Sequence, residues 1–361
     1  MAETNMDKRG LPKRDKGRDG NAEYWILRRI QTAAGSVPVV RTELSGKDIL
    51  GKVKARFGIG RMSYHITPGL YAVGNARPNS PVLVSANYKL SFDSLRRELS
   101  GLDAWILVLD TKGINVWCAA GKGTFGTEEL VHRIEDSGLD RVVSHRVIIL
   151  PQLGAPGVAA HEVTRRTHFK IAYGPVRAAD IKSFLAAGMK ATPEMRSVRF
   201  NLKDRFVLTA LEVTNPFKYL VIITAFFWVL GLLGLHILSW KAWYPYLGAI
   251  LIGGFLVPVL LPWIPGRPFA WKGWLLGLAW AALVDIGQGL LPLTAASWER
   301  AVANVLLLPA ISAFLAMGFT GSSTYTSLSG VLKEMRYAVP AILVSSFLGI
   351  ALLAIALFQG L

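Results

Sequence analysis

The sequence predicts a chain of two unlike parts: a soluble α/β domain built on a parallel sheet, followed by an all-α bundle of five membrane-crossing helices. Three observations predict it. Charge is unevenly divided: of 40 Lys and Arg and 24 Asp and Glu in 361 residues, only six basic and three acidic residues follow Lys218. Hydropathy divides at the same point, with five apolar stretches after Lys218, each near the roughly 20 residues that cross a bilayer core. Before Lys218, short apolar runs alternate with helical patterns, as strands do with crossover helices. The first 218 residues carry a net +13 and the remainder only +3. That division excludes both a single soluble domain and a chain made only of membrane spans.

Residues 1–45 read as a basic tail, with Lys8, Arg9, Lys13, Arg14, Lys16 and Arg18 close together. Such an excess suits anionic lipid or nucleic acid. A disordered, solvated tail is the plainer reading, and no nucleic-acid partner is expected. No apolar stretch follows the basic run, so a signal peptide is not expected. Residues 46–215 form the soluble domain. Strands are expected at 69–74, 81–86, 104–110, 147–151, 169–174 and 206–211, with helices near 91–99, 127–137, 157–166 and 177–187. The run Ala104 to Leu109 is too continuously apolar for a strand with one wet face. Ligands of parallel sheets bind beyond the carboxyl ends of the strands. That edge is expected to carry Asn87 and Lys89, the stretch from Thr111 to Lys122, the glycines Gly154 and Gly157, and Gly174 with Pro175.

Residues 216–361 form the membrane part, with spans at about 219–240, 244–263, 273–291, 300–320 and 339–360. Trp240, Trp243, Trp263, Trp271, Trp274 and Trp298 fall near the span ends, where an indole is half buried and its N–H stays wet. Lys and Arg in the connecting loops favour a cytoplasmic N-terminal domain on the inner membrane, with the C-terminus outside. Asp285, with Gln288 about one turn away, is the one carboxylate inside a span. An intramembrane acid raises a functional hypothesis; a helix–helix hydrogen bond is the preferred reading, and the bundle reads as an anchor.

Cys118 is the single cysteine. That excludes an intramolecular disulfide, a Cys-rich zinc site, and a four-Cys iron–sulfur cluster held by this chain alone. Familiar motifs come close and fail. Gly121-Lys122-Gly123-Thr124-Phe125-Gly126 has dinucleotide-loop glycines but begins about ten residues past its strand, too far for a tight strand–helix turn. His161-Glu162-Val163-Thr164-Arg165 has Arg where a zinc protease needs its second His. There remains the segment from Gly113 to Lys122. Asn115 can cap a short helix starting at Val116 or Trp117. Cys118 then lies in the first turn, where the helix dipole favours thiolate. Ala119, Ala120 and Gly121 keep the turn thin enough for a flat ligand, and Trp117 offers a rigid wall. A lone cysteine is more often a small buried hydrophobe, and the spacing alone leaves both readings open.

The octapeptide Asn115-Val116-Trp117-Cys118-Ala119-Ala120-Gly121-Lys122 resembles the cap-helix sequence of the membrane-bound corrinoid protein family of microbial mercury methylation. About Gly69 to Ala187 is similar to the corrinoid domain of the corrinoid iron–sulfur protein of the acetyl-CoA pathway. The stretch from Pro81 to Asp93 and the pair Gly174-Pro175 carry that similarity further. The resemblance implies a Rossmann-like corrinoid-binding domain with Cys118 as lower axial ligand of cobalt. It further implies a corrinoid-dependent methyltransferase that carries a methyl group on cobalt and passes it to Hg(II), forming methylmercury. The chain departs from the soluble relative in lacking cluster-binding cysteines and the length for a TIM barrel, so electrons are expected from another protein. The resemblance supplies one: a small ferredoxin-like protein with two 4Fe–4S clusters, as electron and Hg(II) donor. The methyl donor it implies is a methyl-folate-dependent methyltransferase. The Asp-x-His-x-x-Gly motif of other corrinoid proteins is absent, so histidine ligation of cobalt is not expected. Two alternatives stay open: a membrane-anchored corrinoid methyl carrier of one-carbon metabolism with another acceptor, and a non-corrinoid membrane receptor or transporter subunit.

Overall fold

A computed structural model describes residues 23–232, 240–294 and 297–359. They fall into two compact units, one of residues 23–49 and 62–196, the other of residues 50–61 and the described residues from 197 onward.

The first unit is a seven-stranded sheet in the order β1-β2-β3-β5-β4-β6-β7. Its strands are β1 (Ile26–Thr32), β2 (Gly35–Val40), β3 (Gly69–Val73), β4 (Val82–Ala86), β5 (Ala104–Leu109), β6 (Val147–Leu150) and β7 (Lys170–Tyr173). The helices preceding or joining them are α1 (Gly46–Arg56), α2 (Lys89–Glu98), α3 (Val116–Lys122), α4 (Thr127–Asp136), α5 (Leu139–Val142) and α6 (Ala160–Thr167), and α7 (Ile181–Ala186) follows β7. The block β5-β4-β6-β7 is parallel, as expected.

The sheet as a whole is mixed, which corrects the expectation of a parallel one. β3 runs antiparallel to β5, and β1 antiparallel to β2. A parallel return needs a crossover of about a dozen residues or more, and only residues 74–81 separate β3 from β4. A second correction concerns residues 26–40, assigned above to a tail. They form the β1-β2 hairpin at the sheet edge, where exposed Arg28 and Arg29 are tolerated because one side of an edge strand faces water. The basic run at residues 8–18 lies outside the described residues.

Side-chain alternation along the central strands gives two cores. Val82, Val84, Leu107 and Leu109 pack with Leu130 and Ile134 of α4 and Val163 of α6. Leu83, Ile106 and Val108 pack on the other face with Phe92 and Leu95 of α2 and Phe184 of α7. Three layers result, and β4 and β6, joined onward to opposite sides of the sheet, open a crevice at their carboxyl ends.

The second unit takes in residues 50–56 of α1 and resumes with α8 (Leu202–Leu232). Residues 206–211, expected as a strand, are helical. A reciprocal cap explains it: Asn201 Oδ1 accepts from the Asp204 N–H (3.0 Å), and Asp204 Oδ2 accepts from the Asn201 N–H (3.2 Å). A short apolar run cannot be told from a helix segment by periodicity alone. The remaining helices are α9 (Trp240–Leu251), a π-turn over Ile252–Leu256, α10 (Val257–Leu260), α11 (Phe269–Gly287), α12 (Trp298–Gly318) and α13 (Leu328–Gln359). Among the described residues, four helical stretches are long and apolar enough to cross a membrane: Trp243–Leu260, Phe269–Gly287, Trp298–Ser322 and Ser329–Ala356. Five were expected; residues 219–232 of the first continue α8, and residues 233–239 lie outside the described residues. A Cβ on Gly273 would lie 2.4 Å from the Ser312 carbonyl, and one on Gly277 2.7 Å from Pro309 Cα. Glycine is therefore what lets α11 and α12 approach. Asp285 is buried and accepts from Asn304 Nδ2 at 2.8 Å, a helix–helix hydrogen bond.

Candidate functional site

The candidate site is built on the carboxyl ends of β4, β5 and β6. After β5 the chain turns sharply, with Lys112 at φ 57° and Gly113 at φ 71°. One side chain fixes this turn. Asn87, one residue past β4 and only 4% exposed, accepts at Oδ1 from the Thr111 N–H (3.1 Å), the Thr111 hydroxyl (2.8 Å) and the Gly113 N–H (3.0 Å). Its amide donates to Asp110 Oδ1 at 3.2 Å. Asn87 thus holds the loop that carries the site rather than presenting itself to a ligand.

The turn delivers the chain into α3. Asn115 is the N-cap, its Oδ1 accepting from the Cys118 N–H at 2.9 Å, and Gly123 closes the helix in the left-handed region at φ 80°. The helix has two faces. Ala119 and Ala120 are buried against the domain, and Val116 is half-buried. Trp117, Cys118, Gly121 and Lys122 are exposed together, and Trp117 at 40% is a large apolar side chain left open. Cys118 carries a free thiol on that open face.

The buried face of α3 rests on the turn Gln152–Gly157, which follows β6. A Cβ on Gly157 would lie 2.1 Å from the Phe125 carbonyl and 3.1 Å from Ala120 Cα; one on Gly154 would lie 2.4 Å from the Phe125 ring. Only glycine permits this approach, so both residues support α3 from beneath. Phe125, fully buried, ties back through its N–H to the Ala119 carbonyl (3.1 Å). By contrast, nothing lies within 4 Å of the Cβ position of Gly121, which borders open space. Gly174 and Pro175 are buried after β7, where a Cβ on Gly174 would lie 2.9 Å from Ile149 Cγ2.

Lys89 is a correction. Its ammonium, 4% exposed, bonds Asp48 (2.5 Å) and Asp93 (2.7 Å) and lies over the rings of Trp25 (4.7 Å), Tyr24 and Tyr64 (each 5.6 Å). Arg96, fully buried, pairs with the same two carboxylates at 3.0 and 2.8 Å. Burial pushes the Asp48 carboxyl up, but hydrogen bonds from Lys89, Tyr24 and the Ser45 backbone outweigh it and hold Asp48 well below the usual carboxylate range. Lys89 is therefore a structural cation tying α2 to the first turn of α1 and to the rings of Tyr24 and Trp25 before β1. The spacing of Lys89, Asp93 and Arg96, four and three residues apart on one helix, was the available signal. Phe125, which fixes the site from behind, had none, because it acts through Gly154 and Gly157, distant in sequence.

Among the described residues no group of three or more His, Cys, Asp or Glu side chains is placed to hold a metal ion. The open face offers one soft donor, a wall and a glycine gap.

Residues 42–185, which contain this entire arrangement, match the family described as CO dehydrogenase/acetyl-CoA synthase delta subunit. The chain is 28% identical over 178 residues to the acetyl-CoA decarbonylase/synthase complex subunit gamma of Archaeoglobus fulgidus, covering 47% of this chain and 37% of that protein. It is 31% identical over 127 residues to the Methanopyrus kandleri subunit gamma, covering 35% and 27% of the two chains. It is 39% identical over 92 residues to that of Methanocaldococcus jannaschii, covering 25% and 19%. The chain spans less than two fifths of the length of these relatives, and the family match ends before the apolar helices begin. The sheet and its candidate site are thus similar to part of the subunits of an acetyl-CoA decarbonylase/synthase complex.

Proposed function

We propose that this protein is a membrane-anchored, corrinoid-dependent methyltransferase that forms methylmercury from Hg(II). The observation that carries the reading is the exposed Cys118 thiol on the first turn of α3, beside open space at Gly121 and the exposed Trp117. These residues fit a corrinoid: one soft donor for cobalt, and small neighbours that admit a broad, flat ring. The bound group supplies a cobalt centre able to take up and give up a methyl group.

The chain's own residues do the rest. Asn115 fixes the turn through the Cys118 N–H, so the thiolate is presented with little freedom. Trp117 walls the site and Gly121 keeps bulk away from the ring, while the buried methyls of Ala119 and Ala120 seat α3 close on the domain. Lys122, exposed at the end of α3, offers positive charge one turn from the sulfur. Gly154 and Gly157 hold the helix from beneath. A strongly donating thiolate would suit an electrophilic acceptor such as Hg(II), which takes methyl as a carbanion or a radical. Electrons and Hg(II) come from a ferredoxin-like protein with two 4Fe–4S clusters, and the methyl group from a methyl-folate-dependent methyltransferase. The soluble domain faces the cytoplasm, and the apolar helices anchor it in the inner membrane.

The test is the visible absorption spectrum of anaerobically purified full-length protein, followed by methylmercury formation in a strain carrying Cys118→Ala. A colourless wild-type protein overturns the corrinoid reading. Undiminished methylmercury from Cys118→Ala overturns the thiolate's role. A second reading is favoured by the similarity to acetyl-CoA decarbonylase/synthase subunits: a methyl carrier of one-carbon metabolism with a different native acceptor. A deletion strain that loses methylmercury formation yet grows normally favours the first reading. A strain impaired in acetyl-CoA-dependent growth favours the second.

A further inference from the structure

Helix α1 starts at a capping box in which Ser45 Oγ accepts from the Asp48 N–H (3.3 Å) and Asp48 Oδ2 from the Ser45 N–H (2.9 Å). Asp48 and Ala55 mark its inward face, 2% and 1% exposed. The opposite face carries Leu50, Val53 and Phe57, three and four residues apart and each roughly half exposed, with exposed Ile59 just beyond. At about 100° per residue, the exposed Lys47 and Lys54 fall along one margin of this stripe. An apolar stripe with exposed cations along its margin is the pattern of a helix lying in a membrane interface, its apolar side chains in lipid and its cations among headgroups.

The position of the segment within its own unit agrees. A Cβ on Gly58, directly after the helix, would lie 3.1 Å from Leu211 Cδ1 and 3.7 Å from Lys218 Nζ, both on α8. Lys218 is the last charged residue before the apolar stretch of α8. On the same part of α8, Glu212 Oε2 lies 3.7 Å from the Cβ position of Gly318, where α12 ends. Residues 50–61 therefore lie beside the points at which two apolar helices end, the level of a headgroup layer.

We infer that residues 50–61 form an interfacial segment that lies in the headgroup layer of an anionic membrane, with Leu50, Val53, Phe57 and Ile59 inserted in lipid. The inference rests on the apolar helices crossing a membrane and is independent of the corrinoid. Its test uses the full chain with Cys118→Ala, which removes the single native thiol, and one added substitution, Val53→Cys, Phe57→Cys or Lys54→Cys. Each protein carries a nitroxide label and is reconstituted in phosphatidylcholine vesicles with and without phosphatidylglycerol. Relaxation enhancement by oxygen, which concentrates in lipid, is compared with that by a water-soluble nickel complex. With phosphatidylglycerol, labels at positions 53 and 57 should be several-fold more accessible to oxygen than to nickel, and the label at position 54 the reverse. Removing phosphatidylglycerol should reduce the oxygen preference at 53 and 57. Nickel preference at 53 and 57 would place the stripe in water and overturn the inference. So would shielding from both reagents, which would place it under a protein partner or a second copy. An oxygen preference unaffected by phosphatidylglycerol would overturn the requirement for anionic lipid.

Discussion

Replacing Asn87 by alanine tests whether the candidate site is held from behind. The side chain accepts three hydrogen bonds and donates one, all within the loop after β5. In Asn87→Ala the Thr111 hydroxyl keeps its bond to the Ile114 carbonyl (2.7 Å), but the Thr111 and Gly113 N–H groups lose their acceptor. Thr111 is fully buried and Gly113 is buried beside it. A buried donor left unsatisfied costs about 1–3 kcal/mol, so the pair costs at least about 2 kcal/mol. If that cost falls on local opening of the loop, the amides of residues 111–118 should exchange about 30-fold faster, since about 1.4 kcal/mol is tenfold. Amide exchange read by mass spectrometry on the full-length protein measures this directly. Asn87→Asp should restore the acceptor for both N–H groups but face the Asp110 carboxylate, giving partial rescue that improves at acidic pH. Unchanged exchange across residues 111–118 in Asn87→Ala would show that α3 is positioned by something else.

Further perturbations separate support from chemistry. Gly157→Ala places a methyl 2.1 Å from the Phe125 carbonyl, so α3 must shift at a cost of about 1–3 kcal/mol; corrinoid retention after gel filtration should fall although no exposed residue of the site has changed. Cys118→Ala alters an exposed side chain on a helix that alanine suits, so the thermal midpoint should stay within about 1 °C while methylmercury formation is lost. Lys89→Met leaves two buried carboxylates against Arg96 alone and should destabilise the protein by about 3–5 kcal/mol, measured by denaturant unfolding of the sheet unit's fluorescence. Asp48 has a folded-state pKa below its ordinary value, so its contribution is fully present above about pH 4 and is lost as pH falls further. The wild-type thermal midpoint should accordingly hold from pH 7 to about pH 4 and drop below that, more steeply than in Asp48→Asn.

Residues whose chemistry is local were readable before any fold was known. The change in charge and hydropathy at Lys218 separates sheet from apolar helices because a bilayer core admits no scattered charge over about 20 residues. The strands β4, β5 and β6 show as continuous apolar runs because both their faces are covered. The cap at Asn115 and the exposed turn at Cys118 follow from a side chain three residues from the amide it caps. Other features were decided by contacts between residues far apart in sequence. Asn87 and Lys89 read as ligand contacts because they follow a strand at the binding edge. Packing turns both inward, one to Thr111 and Gly113, the other to Asp48, a partner 41 residues away. Glycines 154 and 157 read as part of the ligand edge, whereas the close approach of Phe125 and Ala120 is what requires them. The β1-β2 hairpin escaped notice because an edge strand buries too little to impose an apolar alternation. Sequence pattern records what one element needs from solvent or lipid; which side chains meet depends on how the chain returns to itself, and that is a property of the tertiary structure alone.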